Sequence, residues 1–169
     1  MGEKETLRMI RSLYGSILIS AAAQYRHRPE VLAGIMMRET AGGTSHLLDC
    51  IGPAGRGDGG HGHGLMQIDD RSFPEFCAGE NWKDAGKNIH FGALVLRNKR
   101  AYLSARLLGY QITDEELERA VVAAYNAGEG RVLKTVLELR DPDTVTAHSN
   151  YSREVLRLAE IYRTLGALE

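Results

Sequence analysis

The chain has 169 residues, and its 21 lysines and arginines are balanced by 22 aspartates and glutamates. At about 100–200 residues per domain, this length predicts a single domain over residues 1–169. A hydrophobic content of 43% with 25% charged residues is typical of a globular protein and excludes a disordered chain. The balanced charge provides no basic surface for a polyanion, so the composition argues against nucleic acid as a partner.

The first segment has features of both an export signal and a structural helix. Basic residues precede a mostly apolar run at 13–23 that ends in small side chains, as in a signal peptide. Glu3 and Glu5 dilute that positive charge, and apolar residues recur at helical spacing through the same stretch. We therefore expect a structural amphipathic helix over residues 3–24. No apolar run approaches the roughly 18 residues that a membrane span requires.

Proline and glycine positions divide the middle of the chain. A second helix is expected to begin at Pro29 and to end before Gly42 and Gly43. Residues 40–64 are rich in glycine, which predicts loops and short strands. Helical spacing then returns over residues 83–108.

The C-terminal part is predicted to be helical as well. One helix begins at a capping box whose first residue is Thr113. Gly128 and Gly130 are expected to end it, with further helices over residues 132–139 and 151–165. The whole pattern predicts one mostly α-helical domain with a glycine-rich insertion.

Three carboxylic acids lie in or beside the glycine-rich segment. Glu39 falls at the C-terminal end of a predicted helix, where free carbonyls and apolar neighbours disfavour the anion and raise the pKa. Asp58 and Asp69 lie in polar, glycine-flanked surroundings that favour the ionised form. One protonated and one ionised carboxyl group is the arrangement used in glycoside hydrolysis. An acid at a helix end is nevertheless more often a solvated surface residue.

The histidines, cysteines and tryptophan of this region have simpler interpretations. His61 and His63 lack further ligands at a recognised spacing, so we interpret them as solvated loop residues and predict no metal site. Cys50 and Cys77 bracket the irregular segment, and both a disulfide and two free thiols fit the sequence. Trp82 is either a sugar platform or a core residue, and we favour the core.

Five motifs, in the same order, resemble those of goose-type lysozymes. Residues 37–43 (MRETAGG) are similar to the family's Arg-Glu-Ser-x-x-Gly motif, and residues 55–60 (GRGDGG) to its Gly-Asp-x-Gly loop. Residues 63–69 (HGLMQID) resemble its Gly-Leu-Met-Gln-Val-Asp segment. Residues 124–132 (AYNAGEGRV) are similar to a motif shared with soluble lytic transglycosylases, and residues 148–151 (HSNY) to His-x-x-Tyr. The ordered set covers most of the chain.

The resemblance implies a mostly α-helical, lysozyme-like fold with a small three-stranded sheet. It implies cleavage of the β-1,4 bond between N-acetylmuramic acid and N-acetylglucosamine in peptidoglycan, by a monomer without a cofactor. Glu39 would be the general acid, and Asp58 and Asp69 would position and activate the attacking water. The residues implied to bind substrate in the cleft are Gln67, Tyr125, Asn126 and Tyr151. Inversion requires space for a water, so roughly 6.5–9.5 Å should separate the acid from the base carboxyls.

Two alternatives remain open at this point. A lytic transglycosylase would use the substrate's own 6-hydroxyl as the nucleophile and would need no base, so the presence of Asp58 and Asp69 favours the hydrolase. A glycan-binding protein without activity would have no reason to keep Glu39. All three functions place the protein at a cell wall, whether secreted, periplasmic, phage-borne or delivered by a secretion machine.

The chain departs from the family pattern in three places. The stretch at 40–57 is longer than in the avian enzymes and contains Cys50. Phe73 stands where some goose-type enzymes have a histidine shortly after the second aspartate, so the resemblance does not carry that histidine's substrate contact over to this chain. Thr40 replaces the usual serine of the glutamate motif, a mild change.

Overall fold

The computed structural model describes residues 2–167 and confirms a mostly α-helical fold with one small sheet. The helices are α1 (Glu3–Tyr25), α2 (Pro29–Thr40), α3 (Pro74–Ala78), α4 (Ala85–Arg106), α5 (Asp114–Ala127), α6 (Glu129–Leu137) and α7 (Tyr151–Gly166). The strands are β1 (Arg56–Gly57), β2 (Gly62–His63) and β3 (Ile68–Asp69). Short 3₁₀ helices connect several of these elements.

Helix α2 lies at the centre of the domain. It packs against α1 and α7, and its residues from Val31 to Met36 are all buried, as expected of a core helix that is apolar on every side. Gly34 allows α7 to approach closely, because a Cβ atom there would lie 2.5 Å from the carbonyl oxygen of Val155. This close contact fixes the end of α2, and with it Glu39, relative to α7.

Helix α1 is part of the core, in agreement with the structural helix expected for residues 3–24. Its inner face buries Leu7, Ile10 and Leu18 against the other helices. Among residues 2–167, no helix combines the length and the apolar character needed to cross a membrane.

The small sheet holds the glycine-rich segment in place. Its strand order is β1-β2-β3 and both pairs are antiparallel, with Arg56 opposite His63 and His63 opposite Ile68. Asp58 follows β1 directly, and Asp69 is the last residue of β3. The register aligns Gly57 with Gly62 and Gly62 with Asp69, so both aspartates lie at the same end of the sheet.

Two boundaries differ from the sequence prediction. Helix α6 begins at Glu129 and includes Gly130, so the prediction that both glycines interrupt the helices was wrong for Gly130. Gly128 alone separates α5 from α6, with a φ of 82° that favours glycine. Helix α3 was not predicted, because its 5 residues are too few to display helical periodicity.

A buried aspartate anchors the beginning of α7. Asp143 is 1% exposed and accepts hydrogen bonds from the backbone N–H groups of Ser152 and Arg153, which lie in the first turn of α7. The hydroxyl groups of Ser152 and Thr146 donate to the same carboxylate. An anion at a helix N-terminus satisfies N–H groups that have no partner within the helix. This anchor positions Tyr151, the first residue of α7.

Candidate active site

A cleft of about 440 Å³ lies between the end of α2, the small sheet, helix α4 and the C-terminal end of α5. Most residues that the sequence predicted for the site line this cleft, namely Glu39, Asp58, Gln67, Asp69, Tyr125 and Asn126. Tyr151 is 2% exposed and contacts the site through a hydrogen bond to Glu39. The fold thus gathers side chains that are far apart in the sequence around one opening.

Glu39 is the penultimate residue of α2 and is half-buried at the cleft. Burial raises the pKa of Glu39 to about 7, although a hydrogen bond from Tyr151 and the charge of Arg38 both act to lower it. A carboxyl group with that pKa is about half protonated at neutral pH, and it can therefore donate a proton there.

Two tyrosines surround the Glu39 carboxyl. The Tyr151 hydroxyl donates a hydrogen bond to Oε1 of Glu39. The Tyr125 hydroxyl donates to the carbonyl oxygen of Met66 at 2.9 Å, which ties α5 to the segment before β3. Burial, reinforced by the nearby charge of Glu39, raises the pKa of both tyrosines well above the ordinary value. Both therefore remain neutral hydroxyl groups at any physiological pH.

Arg71 joins the two aspartates at the other side of the cleft. Its Nη2 atom lies 2.6 Å from Oδ2 of Asp58, and its Nε atom lies 2.7 Å from Oδ1 of Asp69. Ser72 donates to Oδ2 of Asp69 from both its backbone N–H and its hydroxyl. Partial burial alone would raise the pKa of Asp69, but the hydrogen bonds from Ser72 and Arg71 outweigh it and the pKa is lowered. Asp69 is therefore an anion at neutral pH.

Two basic residues of the site were missed by the sequence analysis. Arg71 lies two positions after Asp69, and the run Asp-Asp-Arg at this point was the available signal. Lys99 lines the cleft from α4 and pairs with Glu129 at the beginning of α6. A single lysine within a long helix carries no local signal that would have marked it.

The two amide side chains of the predicted site anchor loops in addition to lining the cleft. Nε2 of Gln67 donates to the carbonyl oxygen of Gly64 at 2.8 Å, and its Oε1 atom occupies the space where a Cβ at Gly57 would lie, 2.5 Å away. Oδ1 of Asn126 accepts a hydrogen bond from the backbone N–H of Ala147 at 2.9 Å, in the segment that precedes α7. Both amides therefore connect the cleft wall to the backbone around it.

The two loop histidines differ in burial, and one of them packs against Trp82. The solvated-loop interpretation was wrong for His63, which is 6% exposed and packs edge-on against Trp82 with ring centroids 4.7 Å apart. His61 is exposed and lies 2.8 Å from Asp70. Trp82 is buried, so its assignment to the core is confirmed. Within the described chain, no three His, Cys, Asp or Glu side chains converge as metal ligands.

The structure also places the two cysteines and the residues that differ from the goose-type pattern. Cys50 is exposed, Cys77 is half-buried, and both are free thiols. Thr40 donates its hydroxyl hydrogen to the carbonyl oxygen of Leu65 at 2.9 Å, a bond that a serine hydroxyl could also make. Leu47, from the long stretch at 40–57, and Phe73 both line the cleft and give part of its wall an apolar character.

Comparisons with known proteins identify the family. The family model described as Lysozyme g matches residues 1–166. Lysozyme g of Casuarius casuarius is 31% identical over 82% of this chain and 66% of its own length. The identity is 31% for Lysozyme G of Dromaius novaehollandiae and 29% for Lysozyme g of Gallus gallus, over 60% and 58% of their lengths. The chain thus spans somewhat less than two thirds of these relatives, and it belongs to the lysozyme g family.

Proposed function

We propose that the protein is a muramidase that hydrolyses the β-1,4 bond between N-acetylmuramic acid and N-acetylglucosamine in peptidoglycan, with inversion at the anomeric carbon. Membership of the lysozyme g family supports the substrate class. The observation that carries the proposal is a half-buried acid of pKa about 7, Glu39, in the same cleft as two aspartates held by one arginine. In glycoside hydrolysis, the acid requires surroundings that raise its pKa, and the base requires surroundings that keep its carboxylate ionised.

In the first half of the reaction, Glu39 donates its proton to the glycosidic oxygen while the bond to the anomeric carbon breaks. The departing sugar leaves with a new hydroxyl group, and Glu39 becomes a carboxylate. The hydrogen bond from Tyr151 and the charge of Arg38 both stabilise that carboxylate as it forms. Because these groups favour the anion, they stabilise the transition state more than the ground state in which Glu39 is protonated.

In the second half, a water molecule attacks the anomeric carbon from the face opposite the departing oxygen. Asp69, with Asp58 beside it, accepts one proton from this water as the new carbon–oxygen bond forms. Arg71 and Ser72 orient the Asp69 carboxylate by hydrogen bonds and keep it ionised. A separation of about 6.5–9.5 Å between the Glu39 and aspartate carboxyls, sufficient for one water, is part of this proposal.

The experiment that tests the proposal is mass spectrometry of products from purified peptidoglycan digested in ¹⁸O-labelled water. Hydrolysis predicts muropeptides with a reducing end that contains one solvent oxygen. Anhydromuramyl products, lighter by one water, would instead establish a lytic transglycosylase and leave Asp58 and Asp69 without the proposed role. Binding of glycan without any product would establish a glycan-binding protein.

A further inference from the structure

A second depression, lined by phenylalanine rings, adjoins the cleft. Its volume is about 540 Å³, within the range of roughly 300–1,000 Å³ that small-molecule sites occupy. Its lining residues are Ser72, Phe73, Pro74, Glu75, Phe76 and Phe91. Ser72 and Phe73 line the cleft as well, so the two depressions form one continuous surface that begins at Asp69.

The three rings are arranged as one aromatic cluster. Phe76 of α3 and Phe91 of α4 are stacked, with ring centroids 3.9 Å apart and planes inclined by 9°. Phe73 meets Phe91 edge-on, with centroids 5.3 Å apart. All three side chains pack against the core and are half-exposed at the surface. A contiguous apolar patch beside a polar cleft is typical of a binding surface.

We propose that this cluster is a glycan subsite, which binds a pyranose ring of the strand that occupies the cleft. The proposal rests on the proposed function, since it takes peptidoglycan as the substrate. The C–H groups on the face of a pyranose ring are apolar and slightly positive, and they complement the negative face of an aromatic ring. The exposed carboxylate of Glu75 lies beside the rings and can accept hydrogen bonds from sugar hydroxyls.

The lining also favours the glycan over the carboxylates of the stem peptides. A site for the carboxylates of stem peptides would present cationic side chains. Among the residues that line the depression, Glu75 is the one with a charge, and that charge is negative. A glycan strand moreover continues from ring to ring, so a ring next to the cleft must lie on a surface continuous with it. Phe73 provides that continuity.

The test replaces Phe76 in two ways. Phe76→Leu keeps an apolar side chain against the core but removes the ring, whereas Phe76→Tyr keeps the ring. Each substitution is made in the native protein for kinetics and together with Glu39→Gln for calorimetric binding. The probe is peptide-free glycan strands prepared by amidase treatment of peptidoglycan. A matched control is Tyr110→Leu, since Tyr110 lies in a groove lined by α5, α6 and the segment after α4, and this groove shares no lining residue with the cleft.

We expect Phe76→Leu to weaken binding and to raise KM about 5- to 10-fold, as the loss of one aromatic contact implies, with kcat changed by less than about twofold. Phe76→Tyr and Tyr110→Leu should bind and cleave like the native protein. Equal binding of glycan strands by the Glu39→Gln protein with and without Phe76→Leu would overturn the subsite, even if the native protein hydrolyses peptidoglycan. A loss confined to strands that retain stem peptides would also overturn it, because the occupant would then be peptide. Ring-dependent binding without hydrolysis would support the subsite and contradict the proposed function instead.

Discussion

Tyr151 donates a hydrogen bond to the carboxyl group of Glu39, and this contact joins two residues that are 112 positions apart in the chain. Glu39 lies in the last turn of α2 and Tyr151 begins α7. The two helices are held together by a close contact at Gly34, and the start of α7 is anchored by Asp143. The protonation of Glu39 is therefore controlled by the packing of the domain and not by its local sequence alone.

The first prediction concerns that hydrogen bond. Tyr151→Phe removes a donor that favours the carboxylate, so the pKa of Glu39 should rise further above its ordinary value. The alkaline limb of the kcat/KM profile should move to higher pH, and kcat should fall about tenfold because the new carboxylate loses a charge-assisted hydrogen bond. A pH profile measured on peptidoglycan checks both effects. An alkaline limb identical to that of the native protein would show that Tyr151 does not act on Glu39.

The second prediction concerns stability. The pKa of Glu39 is raised from 4.5 to about 7 by folding, so the folded state binds the proton more tightly than the unfolded chain does. Stability from this group is greatest below about pH 4.5 and decreases as pH rises towards 7, by up to about 3 kcal/mol. Glu39→Gln cannot ionise and should therefore unfold with a greater free energy than the native protein at pH 8. This difference in the free energy of unfolding should become smaller towards pH 5. Urea denaturation at both pH values measures the difference, and an advantage that does not change with pH would contradict the raised pKa.

The third prediction concerns Arg71, which we regard as a positioning residue. Arg71→Ala removes hydrogen bonds that lower the pKa of Asp69, so the acidic limb of the pH profile should move to higher pH. We expect kcat to fall about 10- to 100-fold because the carboxylates lose their common partner. Arg71→Lys keeps the charge but not the two-pronged contact, and it should recover part of the loss. Because the arginine side chain is 59% exposed, the Tm should be nearly unchanged. A reduced kcat with an unmoved acidic limb and a lower Tm would indicate a purely structural role.

The fourth prediction concerns Asp143. Burial would raise the pKa of Asp143, but hydrogen bonds from Ser152, Arg153 and Thr146 outweigh it and the pKa is lowered. Asp143→Ala leaves several buried donors without a partner, and we expect a loss of about 2–4 kcal/mol in the free energy of unfolding. The stability that Asp143 provides should disappear as pH falls through its lowered pKa.

Denaturation with urea measures this loss. The control is Asp49→Asn, which weakens a surface ion pair with Arg56 and should leave the denaturation midpoint unchanged. Equal midpoints for Asp143→Ala and the native protein would contradict the anchoring role.

The local features of the fold could be predicted from the sequence, whereas contacts between distant segments could not. The capping box at Thr113 and the end of α2 beyond Glu39 follow from short-range patterns, and the structure confirms both. The hydrogen bond from Tyr151 and the burial of His63 depend on which elements pack together, which periodicity does not encode. Arg71 was missed for a similar reason, because one of its partners, Asp58, follows β1 and the other, Asp69, ends β3, and their approach depends on how the strands pair.

The role of Glu39 as the general acid is tested by the turnover of peptidoglycan by Glu39→Gln compared with that of the native protein. Glutamine keeps the shape of the side chain but has no proton to donate to the glycosidic oxygen. We predict that kcat falls by at least about 10³-fold while binding of glycan strands and the circular dichroism spectrum are unchanged. Turnover by Glu39→Gln close to that of the native protein would contradict the assignment of Glu39 as the general acid.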